Sequence, residues 1–427
     1  MKFNSLCVLG LGYIGLPTAS TFATHGLQVI GVDVDRRVVD VLRNGEIHIQ
    51  EPGLRTLVQA AFRSGKLSVE EAPKAADAFI IAVPTPITAE KHADLSYVEA
   101  AAESIRTVLR PGNLVVLEST SPPRTTVDLV APILEGSGLL AGRDFYLAYS
   151  PERVLPGKIL QELIENARVI GGFDEASAGA GRDLYKTFVR GDILLTDATT
   201  AEMVKLMENT YRDVNIAIAN EFSRLGQAFG VDIWQAIELA NLHPRVQILR
   251  PGPGVGGHCI SVDPWFLVEA APETSALIRQ ARLVNDAQPA VVVGIVQNAL
   301  GSLKGKRICA LGLSYKADVD DLRESPALEV VRELIEAGAQ VITFEPFVPA
   351  ANVPGSSSAD SLEDALAGAE ALLLLVDHTR FKEIDPGWVS SITPARTVID
   401  TRGIWDRSAW EQAGFRLITL GVGEMDA

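Results

Sequence analysis

The chain has 427 residues, 47% of them apolar, more than one hydrophobic core usually organises, so two or three domains are expected. With 54 acidic against 38 basic residues the net charge is −16, which opposes non-specific binding to nucleic acid or an anionic membrane and requires any anionic ligand to be held by local cations. Three cysteines, at positions 7, 259 and 309, have neither metal-ligand spacing nor the even count of a disulfide framework, so no metal is expected and the cytoplasm is the expected compartment. The apolar start of the chain belongs to a glycine turn rather than to a signal peptide, and no uncharged run is long enough to span a membrane.

The first element is an apolar strand running into Gly10-Leu11-Gly12-Tyr13-Ile14-Gly15, then an apolar helical segment and a second strand ending at Asp33. Strand, turn, helix, strand and acid in this register define a dinucleotide-binding unit. Gly10 makes the tight turn, Gly12 admits a pyrophosphate, Gly15 lets helix pack on strand, and the helix N-terminus offers N–H groups to phosphate. Asp33 is placed to accept from a ribose 2′-hydroxyl and repels a 2′-phosphate, which favours NAD over NADP. Arg36 and Arg37 read as surface charge.

Further apolar runs, 78–83, 114–117 and 145–148, alternate with helical ones, which implies a parallel sheet with helices on both faces. Their tips carry Pro84-Thr85-Pro86, Glu118-Ser119-Thr120 and Ser150-Pro151-Glu152. Ligands bind outside the carboxyl ends of such strands, so cofactor and substrate should meet there.

From Thr199 the period becomes helical. Thr199 to Glu202 has the pattern of a capping box, and a long helix carries Lys205 and Asn209 four residues apart, hence on one face. Helical patterns continue through 216–229 and 273–300. Between them lies Pro251-Gly252-Pro253-Gly254-Val255-Gly256-Gly257-His258-Cys259, a thiol framed by permissive backbone. That frame suits covalent chemistry, with N–H groups of Gly256 and Gly257 beside a reacting carbonyl; it also fits a plain turn around a buried cysteine. His258 is left out of the catalytic set, because adjacent side chains in extended backbone point apart.

The last third begins again with an apolar strand, 306–311, entering a turn at Gly312, followed by strands near 341–345, 371–376 and 398–400. Its glycine fingerprint is incomplete, since Ser314, Tyr315 and Lys316 follow. The Ser356–Ser358 stretch reads as a polar loop, and Cys7 and Cys309 as core. The expected fold is thus α/β: two Rossmann-like doubly wound parallel-sheet domains, 1–197 and 303–427, joined by a central helical region, 198–302, that is a natural place for subunits to pack.

The fingerprint, Val83-Pro84-Thr85-Pro86, Glu118-Ser119-Thr120, Tyr149-Ser150-Pro151-Glu152-Arg153, Lys205-Leu206-Met207-Glu208-Asn209-Thr210, Gly256-Gly257-His258-Cys259 and the segment from Tyr315 to Pro326 appear in order over nearly the whole chain. Together they resemble the UDP-glucose/GDP-mannose dehydrogenase family. The resemblance implies an NAD-dependent four-electron oxidation of a sugar C6 alcohol to a uronate through a Cys259 thiohemiacetal and thioester. UDP-N-acetyl-D-mannosamine is the implied substrate, with UDP-N-acetylglucosamine or UDP-glucose as alternatives and a role in polysaccharide biosynthesis.

It also implies roles: Lys205 and Asn209 against the tetrahedral charge, Glu152 as base toward hydrolytic water, Thr120 and Asp263 holding that water. Gly10, Gly12, Tyr13, Ile14, Gly15, Asp33, Thr85 and Thr120 would bind NAD. Glu152, Arg153, Lys205, Asn209, Gly256, Lys316, Arg323 and Arg402 would bind the UDP-sugar, with Arg245 reaching across a homodimer. Each has a plain alternative: a solvated helix face for Lys205 and Asn209, ion pairing for Glu152, a helix N-cap for Asp263, and salt bridges at a domain edge for Lys316, Arg323 and Arg402. Other classes of function are a two-electron 3-hydroxyacid-type dehydrogenase, which leaves Cys259 without a role, and a non-catalytic NAD-binding module.

Overall fold

The computed structural model describes residues 1–49, 51–155, 157–257, 259–349, 351 and 353–423; His258 lies outside them. The chain forms two compact units, Met1–Glu208 with Trp265–Pro272, and Asn209–Pro264 with Glu273–Ala427.

The first unit is built on eight strands: β1 Ser5–Leu9, β2 Gln28–Val32, β3 Leu67–Glu70, β4 Ala78–Ile81, β5 Leu114–Leu117, β6 Tyr146–Tyr149, β7 Arg168–Gly172 and β8 Ile193–Asp197. They lie in the order β3-β2-β1-β4-β5-β6-β7-β8. Helices cover both faces, so a central strand must be apolar on both: Leu6 and Val8 of β1 enter one core, Cys7 and Leu9 the other. The sheet departs from all-parallel at one place, where β7 pairs antiparallel with β6, Tyr149 opposite Gly171. The connection between them carries a seven-residue helix, Ile159–Glu165, and no crossover is needed, because an antiparallel neighbour starts at the end where its partner stops.

The second unit repeats the plan with β9 Arg307–Leu311, β10 Gln340–Phe344, β11 Ser357–Ser358, β12 Ala371–Leu374, β13 Thr397–Asp400 and β14 Arg416–Thr419, all parallel, in the order β11-β10-β9-β12-β13-β14. The serine stretch read as a loop thus supplies a two-residue edge strand. Ile308 and Ala310 enter one core, Cys309 and Leu311 the other, matching β1 residue for residue. Burial pushes the Cys7 and Cys309 thiols up to about 12, as expected of core sulfur.

Helices fill the middle of the chain: Ala198–Phe229, Ile233–Ala240, Asp263–Ala270, Ala276–Asp286 and Gln288–Leu300. The continuous pattern read over 273–300 is two helices, separated at Ala287 with Pro289 in the first turn of the second. The capping box at Thr199 is not formed. The long helix starts at Ala198, and Asp197 receives the N–H of Thr200 at 2.8 Å. Glu202 is instead buried against the segment after β5, accepting the N–H groups of Arg124 and Thr126 at 2.5 and 2.8 Å. Among the described residues no helix is long and apolar enough to cross a membrane, and no group of three His, Cys, Asp or Glu side chains could hold a metal ion.

Candidate active site

The turn after β1 has the shape a pyrophosphate requires. Gly10 has φ +89°, and a Cβ there would meet the Ala82 carbonyl at 2.5 Å. At Gly15 a Cβ would stand 1.8 Å from the Gly10 oxygen, so helix and turn close only on glycine. Gly12 is different: nothing lies within 4 Å of its Cβ position, which leaves its backbone open to a ligand. Asp33 accepts the N–H of Leu11 and of Asp35, each at 2.9 Å, and each carboxylate oxygen keeps a lone pair for a ribose hydroxyl. These residues fit a bound dinucleotide. Arg36 and Arg37 pair with Glu71 and Asp35 on the surface, as expected of solvated charge.

The tips of β4 and β5 are laced together, the Thr85 hydroxyl donating to the Thr120 carbonyl at 2.6 Å and the Ser119 hydroxyl to that of Val83 at 2.7 Å. Beyond β6, one oxygen of Glu152 accepts the N–H of Arg153 at 2.8 Å and the other accepts Arg168 Nη2 at 2.7 Å. Arg168 has a second buried carboxylate near it, Glu118, at 3.4 Å, and donates to the Ser150 hydroxyl at 3.0 Å. The Tyr185 hydroxyl donates to Glu118. Burial raises Glu118 to about 7, with Arg168 opposing and Glu152 adding to the rise. Arg153, expected to touch substrate, pairs with Glu208 at 2.6 Å and donates to the Ala167 carbonyl. Lys205 lies half-buried on the long helix.

In the second unit the glycine loop is fastened at both ends. The Gly252 N–H donates to Asn220 at 2.9 Å, and Asn220 leads through Asn285 to the buried pair Asp213–Arg282, whose atoms approach to 2.5 Å. The Gly257 N–H donates to the Arg323 carbonyl at 3.1 Å. A Cβ at Gly256 would stand 2.7 Å from both the Glu324 carbonyl and Tyr315, and one at Gly257 would stand 2.9 Å from the Tyr315 ring. The expectation that Gly257 offers its N–H to a reacting carbonyl is therefore corrected. These two glycines are required by close packing on the 315–326 segment.

Cys259 is half-buried on the turn that enters the helix Asp263–Ala270, its carbonyl accepting the N–H of Val262 at 3.1 Å and of Asp263 at 2.8 Å. The Asp263 carboxylate accepts the Asn209 amide at 2.5 Å. Cys259, Asp263 and Asn209 thus form one constellation in this unit, while Thr120, Glu152 and Lys205 belong to the other.

Of the cations expected to meet a pyrophosphate, Lys316 is exposed, Arg323 pairs with Asp321 at 2.6 Å, and Arg402 pairs with Asp377 at 2.9 Å. Arg402 also lies against the loop, 2.5 Å from the Cβ position of Gly252. Arg245 is exposed. Sequence reasoning missed Arg168, Asn220 and the role of Glu118. A charged residue opening the apolar run Val169-Ile170, and an acid closing Leu114 to Leu117, were the available signals.

A glycine turn opening the first of two Rossmann units and a thiol on a packed loop between them in sequence define a class of nicotinamide-dependent dehydrogenase. Comparison with known proteins gives the family. Residues 4–189, 199–287 and 309–407 match, in turn, the NAD binding, central and UDP binding domains of the UDP-glucose/GDP-mannose dehydrogenase family. A UDP-N-acetyl-D-mannosamine dehydrogenase of Methanococcus maripaludis is 47% identical, the alignment covering 98% of this chain and 97% of that one. An NDP-N-acetyl-D-galactosaminuronic acid dehydrogenase of Ralstonia solanacearum is 49% identical, covering 95% and 97%. A solved structure of UDP-D-ManNAc dehydrogenase from Pyrococcus horikoshii superposes with TM-score 0.92 at 42% identity, covering 99% and 100%. The chain belongs to the UDP-glucose/GDP-mannose dehydrogenase family; it is an enzyme with NAD as its cofactor.

Proposed function

We propose that the protein oxidises the C6 alcohol of a UDP-N-acetylhexosamine, foremost UDP-N-acetyl-D-mannosamine, to the uronate in two successive two-electron oxidations through a Cys259 thiohemiacetal and thioester. The observation that supports it most directly is the seat of Cys259: a turn locked by the Asp263 N–H, with the Asp263 carboxylate holding Asn209. The names of relatives aligned over almost the whole chain supply the substrate class.

NAD+ held on the Gly10–Gly15 turn supplies the hydride acceptor. The thiolate of Cys259 is nucleophilic enough to capture an aldehyde and leaves readily from a thioester, which a serine alkoxide does not. Lys205 and Asn209, one helical turn apart, stabilise the tetrahedral oxyanion. Glu152 takes a proton from water attacking the thioester, with Thr120 and Asp263 holding that water. The nucleotide sugar is contacted by Arg153, Gly256, Lys316, Arg323 and Arg402, the arginines exchanging their present acidic partners for phosphate.

The working form is a homodimer in which Arg245 serves the partner's sugar site. Tyr211, Ile218, Leu225 and Phe229 form an exposed apolar stripe along the long helix, Tyr211 and Phe229 being 71% and 75% exposed, and such a stripe calls for a cover. The compartment is the cytoplasm, in keeping with Cys7 and Cys309 as buried core thiols. A second reading for the sugar, a galacto-configured N-acetylhexosamine, is favoured by the Ralstonia relative.

Incubation with UDP-N-acetylmannosamine, UDP-N-acetylgalactosamine, UDP-N-acetylglucosamine, UDP-glucose and GDP-mannose, with NADH and product measured, tests the reading. About two NADH per sugar consumed are expected, with uronate as product, and Cys259→Ala is expected to abolish uronate while keeping NAD affinity. One NADH per sugar with aldehyde or ketone accumulating, or a Cys259→Ala variant at full rate, would overturn it.

A further inference from the structure

Glu152 does not stand alone at its loop. Arg168, on β7, reaches it with a side chain 5% exposed, and Glu152 itself is 9% exposed. A guanidinium so deeply buried is costly unless its donors are matched, and here they are: Nη2 to Glu152, Nη1 to Ser150 and to the fully buried Glu118. Its plane also lies over the Tyr185 ring, 4.3 Å from the centroid, while the Tyr185 hydroxyl holds Glu118 in place. One cation therefore serves two carboxylates beyond the carboxyl ends of neighbouring strands: Glu118, directly after β5, is fully buried, whereas Glu152, three residues after β6, keeps some exposure on the ligand side of the sheet.

We propose that Arg168 is a positioning residue for the hydrolytic half of the reaction, aiming the Glu152 carboxylate, with Glu118, Ser150 and Tyr185 bracing the guanidinium from behind. The proposal rests on the reading that Glu152 is the base at the acyl sulfur. In that step water forms the new C–O bond, its proton passes to Glu152, the C–S bond breaks and the sulfur leaves as thiolate; no oxidant or reductant is consumed. In this role Arg168 acts through Glu152 and not on the reacting atoms. Without it, among the described residues, Glu152 is held by the Arg153 N–H, and its second oxygen loses the donor that fixes its direction.

The test separates the oxidations from the hydrolysis. Full-length enzyme is mixed with saturating NAD and its nucleotide sugar, and the early burst of NADH, the steady-state rate, both KM values and the mass of acid-quenched protein are measured for wild type and for R168M, R168K and E152Q. For R168M the burst is expected to remain at about two NADH per active site while the steady-state rate falls by about tenfold or more, both KM values fall in parallel so that kcat/KM stays within about twofold, and an acyl adduct accumulates on Cys259. R168K keeps the charge without the planar fork and is expected to lose about threefold of the steady-state rate with the burst intact; it decides the matter if R168M does not fold. A burst that falls in step with the steady-state rate, or an unchanged steady-state rate in R168K and R168M, overturns the proposal. E152Q discriminates the underlying reading: unchanged turnover there removes Glu152 as base, whereas a stalled acyl enzyme in E152Q but not in the Arg168 variants removes the role of Arg168 alone.

Discussion

The turns that open the two Rossmann units begin alike and then part. Gly10 and Gly312 have φ +89° and +88°, and their N–H groups donate to the carbonyls of Val32 and Phe344 at 2.8 and 2.9 Å. The acid after the second strand then accepts from the next residue of each turn: Asp33 from Leu11 at 2.9 Å, Glu345 from Leu313 at 2.7 Å. In the first unit a helix starts five residues after Gly10, at Gly15, with its N–H groups beside an open Gly12. In the second, thirteen residues intervene before the helix Pro326–Glu336, and Glu345 is occupied by Ser314 and the buried His378 ring. Positive-φ glycine and strand-end acid are thus common to both units, and what sets the first apart is the open second glycine and the immediate helix, an arrangement that fits a dinucleotide.

A methyl group placed on each turn separates the two roles most strongly. Gly15→Ala puts a Cβ into the Gly10 carbonyl, and loss of about 2–4 kcal/mol of stability together with loss of NAD binding is expected by thermal melting and calorimetry. Gly312→Ala, 2.5 Å from Val376 at positive φ, is expected to lower the melting temperature comparably while NAD affinity stays within about twofold. Equal loss of NAD binding in both would erase the distinction.

A smaller effect is expected at Glu345. Burial works against its charge, but the His378 ring and the N–H groups of Leu313 and Phe347 outweigh it and hold the carboxyl below its usual value. That stability is present above about pH 4.5 and is lost as pH falls through the lower folded value. Glu345→Gln is expected to cost about 1–3 kcal/mol at pH 7 and to flatten the acid limb of the stability curve, with NAD affinity unchanged.

The smallest effect belongs to Glu118, for which the sign is opposite. Its folded value, about 7, lies above the ordinary 4.5, so wild-type stability falls as pH rises between them. Glu118→Gln is expected to match wild type at pH 5 and to be more stable at pH 8 by on the order of 1 kcal/mol, read by denaturant titration. A variant less stable than wild type at pH 8 would mean that the ionised carboxylate is a net support for Arg168.

The elements carrying their own chemistry were legible in the chain. The Gly10 fingerprint, the apolar β4 and β5 and the long helix each follow from local pattern, because turn geometry and two-sided burial constrain residue type directly. The reversal of β7 was not legible, since an apolar run does not record its direction. The capping box at Thr199 failed because Glu202 found better partners in Arg124 and Thr126, and Gly257 was misread because its neighbour, Tyr315, is 58 positions away in the chain.

Side-chain type and short spacing are properties of the chain alone, and they already carried the two-sheet plan, the glycine turn and the choice of Cys259, Glu152, Lys205, Asn209 and Asp263 as candidate groups. Tertiary structure alone decided what surrounds them: that Asp263 holds Asn209, that the glycine loop hangs from Asn220 and packs on Tyr315, and that one buried arginine stands between Glu118 and Glu152. Burial and partnership are set by residues far apart along the chain, and it is these that turn a list of reactive groups into a poised one.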